Sequence, residues 1–488
     1  MGSIVVIGLG PGDPNLITRQ AWKLLSQADE LYVRTQQHPT LAGLPQNVQI
    51  QSFDDLYETL EKPEDVYSAI AGKILELGRR QQGVLYAVPG SPMVAEASVG
   101  EILAKAKSSG QSVQIVQGLS FIEPALELVG LDALAGLKVV DALEVAACNH
   151  PPFSGDEPTI LAQMYSRALA SDVKLTLMNE YPDEHQVALL HRAGTLSAKI
   201  EWVPLHELDH SADIDHLTTL FIPPLPESAG FNALQETVAH LRAPDGCPWD
   251  QEQTHASLRQ NLLEESYEVL TVIDSGDFTS LAEELGDMLL QIVLQTQIAI
   301  DEGEFQMRDV TASINSKLIR RHPHVFSDLE VDGVASVIRN WETLKAAERK
   351  PDAGVLSGVS PAMPALAQAD SYQSRAARVG FDWEEISSVL EKLNEEIDEL
   401  QNAESDIEQA AELGDVLFSV VNWARWLEIN PEAALRESNA RFRARFELLE
   451  ERARIDGREL TQMTVDELEE LWVGAKQVLG TTGMKSGH

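Results

Sequence analysis

The chain has 488 residues, enough for two or three domains, and 44% of them are hydrophobic, enough for each domain to bury a core. Lys and Arg number 37 against 77 Asp and Glu, a formal charge of −40. That balance argues against a nucleic-acid surface, which needs clustered cations to neutralise phosphates, and two cysteines, Cys148 and Cys247, exclude a disulfide scaffold or a Cys-rich zinc site.

The chain opens on a strand-like run, Ile4 to Ile7, with no basic leader. No apolar stretch reaches the roughly 18 residues that a membrane span needs, so a soluble cytoplasmic protein with no membrane partner is expected. Residues 1–222 alternate short apolar runs with helical patterns. Strands are predicted at 4–10 (IVVIGLG), 83–88 (GVLYAV), 112–116 (SVQIV) and 174–178 (KLTLM). The alternation argues an α/β domain with a largely parallel sheet. Three loops follow the first three of these strands. The first carries Gly8, Gly10, Pro11, Gly12 and Asp13, ahead of a helical pattern at 17–28; the second carries Pro89, Gly90, Ser91 and Pro92; the third carries Gly118 and Ser120. Glycines let a ligand approach the backbone closely, and the ends of strands are where α/β folds bind ligands. Taken singly, the first loop is equally a tight turn.

Pro223, Pro224 and Pro226 break the pattern, and 223–230 reads as a linker. Strand signals nearly vanish beyond Phe231. Apolar residues recur at helical spacing over 262–273, 281–300 and 410–427, so this half is all-α. It also repeats itself. Glu265 and Glu396 lie 131 residues apart, Asp287 and Asp415 128, Lys317 and Arg441 124, and Trp341 and Trp472 131. Four elements in one order at a nearly constant offset indicate a duplication, with one copy at 231–350, a linker at 351–364 and a second copy at 365–478.

Each copy places carboxylates on two successive helices. The first has Glu264, Glu265 and Glu268, then Glu284 and Asp287; the second has Glu395, Glu396 and Glu399, then Glu412 and Asp415. Spacings of three and four put such residues on one helix face. Converging carboxylates repel unless a cation neutralises them. Oxygen donors without His or Cys select Mg²⁺ or Mn²⁺ over zinc, and a metal so held can activate water for attack on phosphorus. A lone EExxE cluster is usually a solvated face; its repetition with the second acidic helix turns that reading over. Lys317 and Arg321, and Arg441 and Arg445, sit four apart and suit phosphate oxygens, although a salt-bridged surface uses the same pattern. Trp341 and Trp472 could stack on a nucleobase or fill a core. Lys345 and Lys476 follow each Trp by four.

The stretches LRAPDGCPWDQEQT (241–254), EESYEVL, EELGD, KLIRRHPHVF (317–326), VGFDW (379–383), EEIDEL and ELGDVLF make residues 231–476 resemble the MazG family of all-α nucleoside-triphosphate pyrophosphohydrolases. The resemblance implies hydrolysis of a nucleoside triphosphate to monophosphate and pyrophosphate, Mg²⁺ on the carboxylates, and a bundle completed by homodimerisation. Carried over by position, Glu396, Glu399, Glu412 and Asp415 are the catalytic metal ligands. Lys392, Arg441, Arg445, Trp472 and Lys476 fall where the family binds nucleotide. Glu265, Glu268, Glu284 and Asp287, with Lys317, Arg321, Trp341 and Lys345, form the first-copy counterpart. Asn261 stands there in place of Lys392, which favours the second copy as the active one. Residues 3–222, through the three loops and the stretch 171–187, resemble the tetrapyrrole (corrin/porphyrin) methylases, which implies S-adenosylmethionine between two α/β subdomains. Ser91 departs from an acidic residue common in that family's second loop, so binding can survive where methylation does not. Two other functions stand beside the hydrolase: a methyltransferase whose helical half regulates or dimerises it, and a non-catalytic helical adaptor.

Overall fold

β1 (Ile4–Gly8) is apolar throughout because both faces of its sheet are covered. Ile4 and Val6 point to one side, against Val66, Ile70 and Ile74 of the helix Pro63–Leu77 and Ile102 of the helix Ala97–Ser109. Ile7 points to the other, against Ala21 and Leu25 of the helix Arg19–Leu25. This two-residue alternation, buried on both sides, places β1 inside its sheet rather than at an edge. Around it lie β2 (Glu30–Val33), β3 (Gln49–Ser52), β4 (Val84–Val88) and β5 (Val113–Val116), in the order β3-β2-β4-β1-β5, all parallel. The computed structural model describes residues 3–60, 62–225, 230–347 and 354–482; residues 226–229 of the first expected linker, and 351–353 of the second, lie outside them.

A second sheet follows: β6 (Lys138–Asp141), β7 (Thr159–Ala162), β8 (Gln186–His191), β9 (Lys199–Pro204) and β10 (Thr218–Ile222), ordered β6-β7-β10-β8-β9. Only β6 and β7 are parallel; the other pairs are antiparallel. The parallel expectation therefore holds for the first sheet and not the second. The strand expected at 174–178 is instead the end of a helix, Arg167–Leu177. Ser166 caps it by accepting from Leu169 N, and Leu169, Ala170, Val173 and Leu177 pack on the second sheet at helical spacing. A strand would put Leu175 and Leu177 on one face; the helix exposes Leu175 and buries Leu177. Five residues are too few to tell the two periods apart.

The chain folds as two compact units, Met1–Ile314 and Asn315–His488. The first contains both sheets and the helices Phe231–Arg242, Arg259–Ser275 and Phe278–Glu302. Val238, Leu258, Val293, Leu294, Ile298 and Met307 make the core of that helical part. The second contains the helices Gly333–Ala347, Ala365–Ala377, Ile386–Asn402, Asp406–Trp426, Pro431–Ile455 and Val465–Thr482. Ser405 and Glu408 form a capping box that starts the helix Asp406–Trp426 directly after its neighbour, so the two pack as a hairpin. Among the described residues, no helix is long and apolar enough to cross a membrane.

The first sheet places its three loops edge to edge. Leu9 N donates to Val88 O at 2.9 Å, and Gly90 N to Gly10 O at 2.9 Å. A Cβ on Gly8 would lie 2.6 Å from Gly90 O and 2.7 Å from Gly118 N, both rigid backbone atoms. Gly8→Ala is therefore expected to destabilise the amino-terminal unit by about 1–3 kcal/mol, the usual range for forcing an extra methyl into a packed site. Urea unfolding followed by tryptophan fluorescence measures it; an unchanged midpoint would mean that the loops separate without cost.

Candidate functional site

On the helix Ile386–Asn402, Val389, Leu393 and Glu396 are buried at i, i+4 and i+7. The apolar stripe that docks this helix thus carries a carboxylate inward at its end. Glu396 is 7% exposed. Glu399, one turn on, and Glu412 of the next helix present oxygens that, with one from Glu396, all lie within 4.8 Å of one another. Lys392 answers this charge: its Nζ lies 2.9 Å from Glu396 Oε1 and 2.9 Å from Glu395 Oε1. Those two bonds raise the Lys392 pKa. Desolvation raises that of Glu399, with the carboxylates of Glu396 and Glu412 adding to it and Lys392 opposing. An all-oxygen set this close suits a small hard cation.

Glu396, Asp415 and Lys392 also line a cavity of about 540 Å³. Asp415 is exposed and stands beside the three-carboxylate group rather than within it. Tyr372, Phe381, Trp383 and Phe418 give that wall an aromatic part, and Gln373 and Asn422 add amides. At its rim Arg425 holds Asp382 through two bonds of 2.9 and 2.5 Å, and Trp426 Nε1 donates to the same carboxylate at 3.3 Å. The Arg425 bond holds the Asp382 pKa below the ordinary value.

Arg441, Arg445, Trp472 and Lys476 occupy the other hairpin of this unit, Pro431–Ile455 with Val465–Thr482. Arg445 lies over the Trp472 ring, 5.9 Å from its centroid, and Arg441 Nη1 approaches Glu437 Oε2 at 3.4 Å. None of the four is among the described residues that line the cavity. The first copy repeats the stacking: Arg321 Cζ is 5.4 Å and Lys345 Nζ 4.7 Å from the Trp341 centroid. Lys317 shares the Arg321 helix, Met307–Arg321.

In the other unit, oxygens of Glu265, Glu268 and Glu284 also lie within 4.8 Å of one another. Desolvation raises the Glu265 pKa, followed by Asp287, Glu268 and Glu284; desolvation and then Glu268 raise that of Glu284. Six of the eight expected metal ligands thus fall in two matching acidic groups, with Asp287 and Asp415 outside them.

Of the loop residues, Pro11, Pro89, Gly90 and Ser91 line a cavity of about 130 Å³ in the amino-terminal unit. Gly8, Pro92 and Gly118 are where the loops touch, and Gly10 bridges to Gly90. Gly10 and Gly12 have φ of 77° and 146°, which favour glycine. Asp13 caps a turn by accepting from Asn15 N at 2.8 Å, and Ser120 Oγ donates to Glu123 Oε2 at 2.5 Å. These two serve local turns.

Sequence reading missed Asp382, Trp383, Asn422 and Arg425. The first two sit in the VGFDW stretch, whose family pattern by itself gives those residues no role. It also missed Arg34 and Glu96 in the amino-terminal cavity, joined at 2.9 Å with the Glu96 side chain 1% exposed. A glutamate among small residues just after a glycine loop was the available signal.

Residues 253–326 match the MazG nucleotide pyrophosphohydrolase domain, and residues 3–209 the tetrapyrrole (corrin/porphyrin) methylases. The chain is 40% identical to the uncharacterized protein YabN of Bacillus subtilis over 98% of its own length and 99% of that protein. It is 42% identical, over half its length and 95% of the other, to the nucleoside triphosphate pyrophosphohydrolase/pyrophosphatase MazG of Thermotoga maritima. Among solved structures, uroporphyrin-III C-methyltransferase from Thermus thermophilus aligns with 46% of this chain and 92% of its own, at TM-score 0.36 and 20% identity. With a curated MazG relative and YabN both matched almost end to end, the chain belongs to the MazG family, in the branch that carries a tetrapyrrole-methylase domain ahead of the MazG region.

Proposed function

We propose that this chain hydrolyses nucleoside triphosphates to the monophosphate and pyrophosphate, in a Mg²⁺-dependent reaction carried by its second helical copy, with Mn²⁺ able to substitute. The observation that carries this is the Glu396, Glu399 and Glu412 group beside a 540 Å³ cavity with aromatic walls. Those three and Asp415 would hold the metal, which supplies charge neutralisation for the triphosphate and activates water. The base enters the cavity against Trp383, Tyr372 or Phe418, with Asn422 and Gln373 as hydrogen-bonding groups. This moves base recognition away from Trp472. Arg441, Arg445 and Lys476 remain charge partners for the phosphate chain, with Trp472 holding Arg445 in place. Glu396 accepts the proton of the attacking water; the Pα–O bond to the β-phosphate breaks, and its electron pair leaves on pyrophosphate. Lys392, bonded to Glu396, orients that carboxylate.

The protein acts in the cytoplasm as a homodimer through its helical half. Leu413, Leu417 and Val420 expose an apolar stripe at i, i+4 and i+7, and Leu285, Leu289 and Ile292 expose the same stripe in the first copy. Unpartnered stripes of this kind are what a second chain buries. In the amino-terminal unit, 1–222, S-adenosylmethionine occupies the cleft of the three loops; the support is the glycine-to-glycine packing that opens backbone to a ligand beside Ser91. Calorimetry with that cofactor tests it.

Two outcomes are expected for the hydrolase. Glu396→Gln should lower pyrophosphate release at least ~100-fold, the scale for removing a general base, while the far-ultraviolet spectrum is unchanged. Persistent activity there, with loss in Glu265→Gln, would transfer the reaction to the first copy. The second outcome concerns pH. Glu399, Glu265 and Glu284 have pKa values raised above 4.5, so the metal-free native state binds more protons than the unfolded chain in that range. Metal-free stability must therefore fall as pH rises through the raised values. Melting curves in EDTA and in Mg²⁺ should coincide at low pH, where the cluster is protonated, and separate above it, with Mg²⁺ stabilising. Equal separation at every pH would rule out these carboxylates as the ligands.

A further inference from the structure

The amino-terminal cleft contains polar groups that neither reading above employs. Arg34 follows β2, and its Nη1 donates to Glu96 Oε2 at 2.9 Å. The other oxygen, Glu96 Oε1, accepts from Ser98 Oγ at 2.6 Å, and Ser98 shares a 2.8 Å bond with the Tyr86 hydroxyl. Glu96 is therefore satisfied, and its role is to pin the guanidinium. What remains open is on the cationic side. Arg34 Nε is buried with no hydrogen-bond partner, and so are His38 Nδ1 and Thr40 Oγ1. Buried donors are almost always paired, yet three unpartnered atoms fall on one short segment.

Arg34, His38 and His216 line the 130 Å³ cavity together with Glu96. His38 is only 6% exposed. Burial, then Arg34, then His216 lower its pKa to about 4, so the ring is neutral near pH 7. Ala95 and Gln163, on the same walls, have φ of 52° and 66°. Left-handed backbone at non-glycine residues is strained and collects at ligand sites.

We propose that this recess is an oxyanion subsite, in which a carboxylate or phosphate oxygen accepts hydrogen bonds from Arg34 Nε–H and from an Nδ1–H of His38. Glu96 holds the guanidinium edge so that Nε–H faces the ligand. The two acids share this chemistry. The volume suits one such group on a short stem, so the ligand is a small acid or ester, or the anionic end of a larger molecule. The site needs no divalent metal, and it stands whether or not the helical half hydrolyses triphosphates.

The test uses the full chain with ¹⁵N-labelled histidine in EDTA, with His38→Gln to assign the His38 signals. Acetate and inorganic phosphate are titrated separately against chloride at constant ionic strength. The expected result is a saturable shift of the His38 signals with at least one probe, and a His38 titration midpoint at least one pH unit higher when it is bound, since an adjacent anion favours the imidazolium. A response to acetate alone, to phosphate alone, or to both identifies a carboxylate, a phosphate ester, or either as ligand. In Arg34→Gln/Glu96→Gln, which removes both charges and strands neither, the response should weaken at least tenfold. As a second readout, the probe should raise the melting temperature of the parent chain and of Glu396→Gln, but not of His38→Gln. His38 signals that ignore both probes, or a melting response that survives in His38→Gln, would overturn the proposal.

Discussion

Like charges held close together are the constraint on which the helical half depends. Three carboxylates within 4.8 Å oppose the fold that gathers them. The opposition is overcome by apolar packing: Val389 and Leu393 are buried on the same stripe that turns Glu396 inward, and the capping box at Ser405 sets the register of the partner helix. The pKa values of Glu399, Glu265 and Glu284 are displaced upward because that packing brings like charges together and partly desolvates them. Such a site stores a demand for positive charge, and that demand is its chemistry.

The amino-terminal half uses the reverse arrangement. Its cleft gathers few charges, with a fully buried Glu96 neutralised by a partly exposed Arg34. The loops above are held by backbone alone, through contacts that only glycine permits at Gly8 and Gly118. One half therefore manages a surplus of charge near the surface, and the other a balance of charge in the interior.

Patterns local in the chain were legible in the sequence. The paired acidic helices, the helices of the second half and the strands β1, β4 and β5 of the first sheet all follow from spacing over one element. KLTLM failed because five residues carry no decisive period. β2 and β3 of the first sheet and all the strands of the second were not read from the sequence. What stayed hidden was pairing at a distance. Asp382 finds Arg425 43 residues on, and Arg34 finds Glu96 62 residues on. Neither partner announces the other, since a lone charged residue looks the same whether it will be solvated or buried.

Lys392 distinguishes the two copies. Its ammonium already sits against Glu396, where positive charge is wanted. The second copy therefore offsets part of its carboxylate charge from within the same helix, through Glu395 and Glu396. The first copy has Asn261 at the matching position, an amide without charge to lend. The exchange leaves the first copy's equally close carboxylates without a counter-charge from that position.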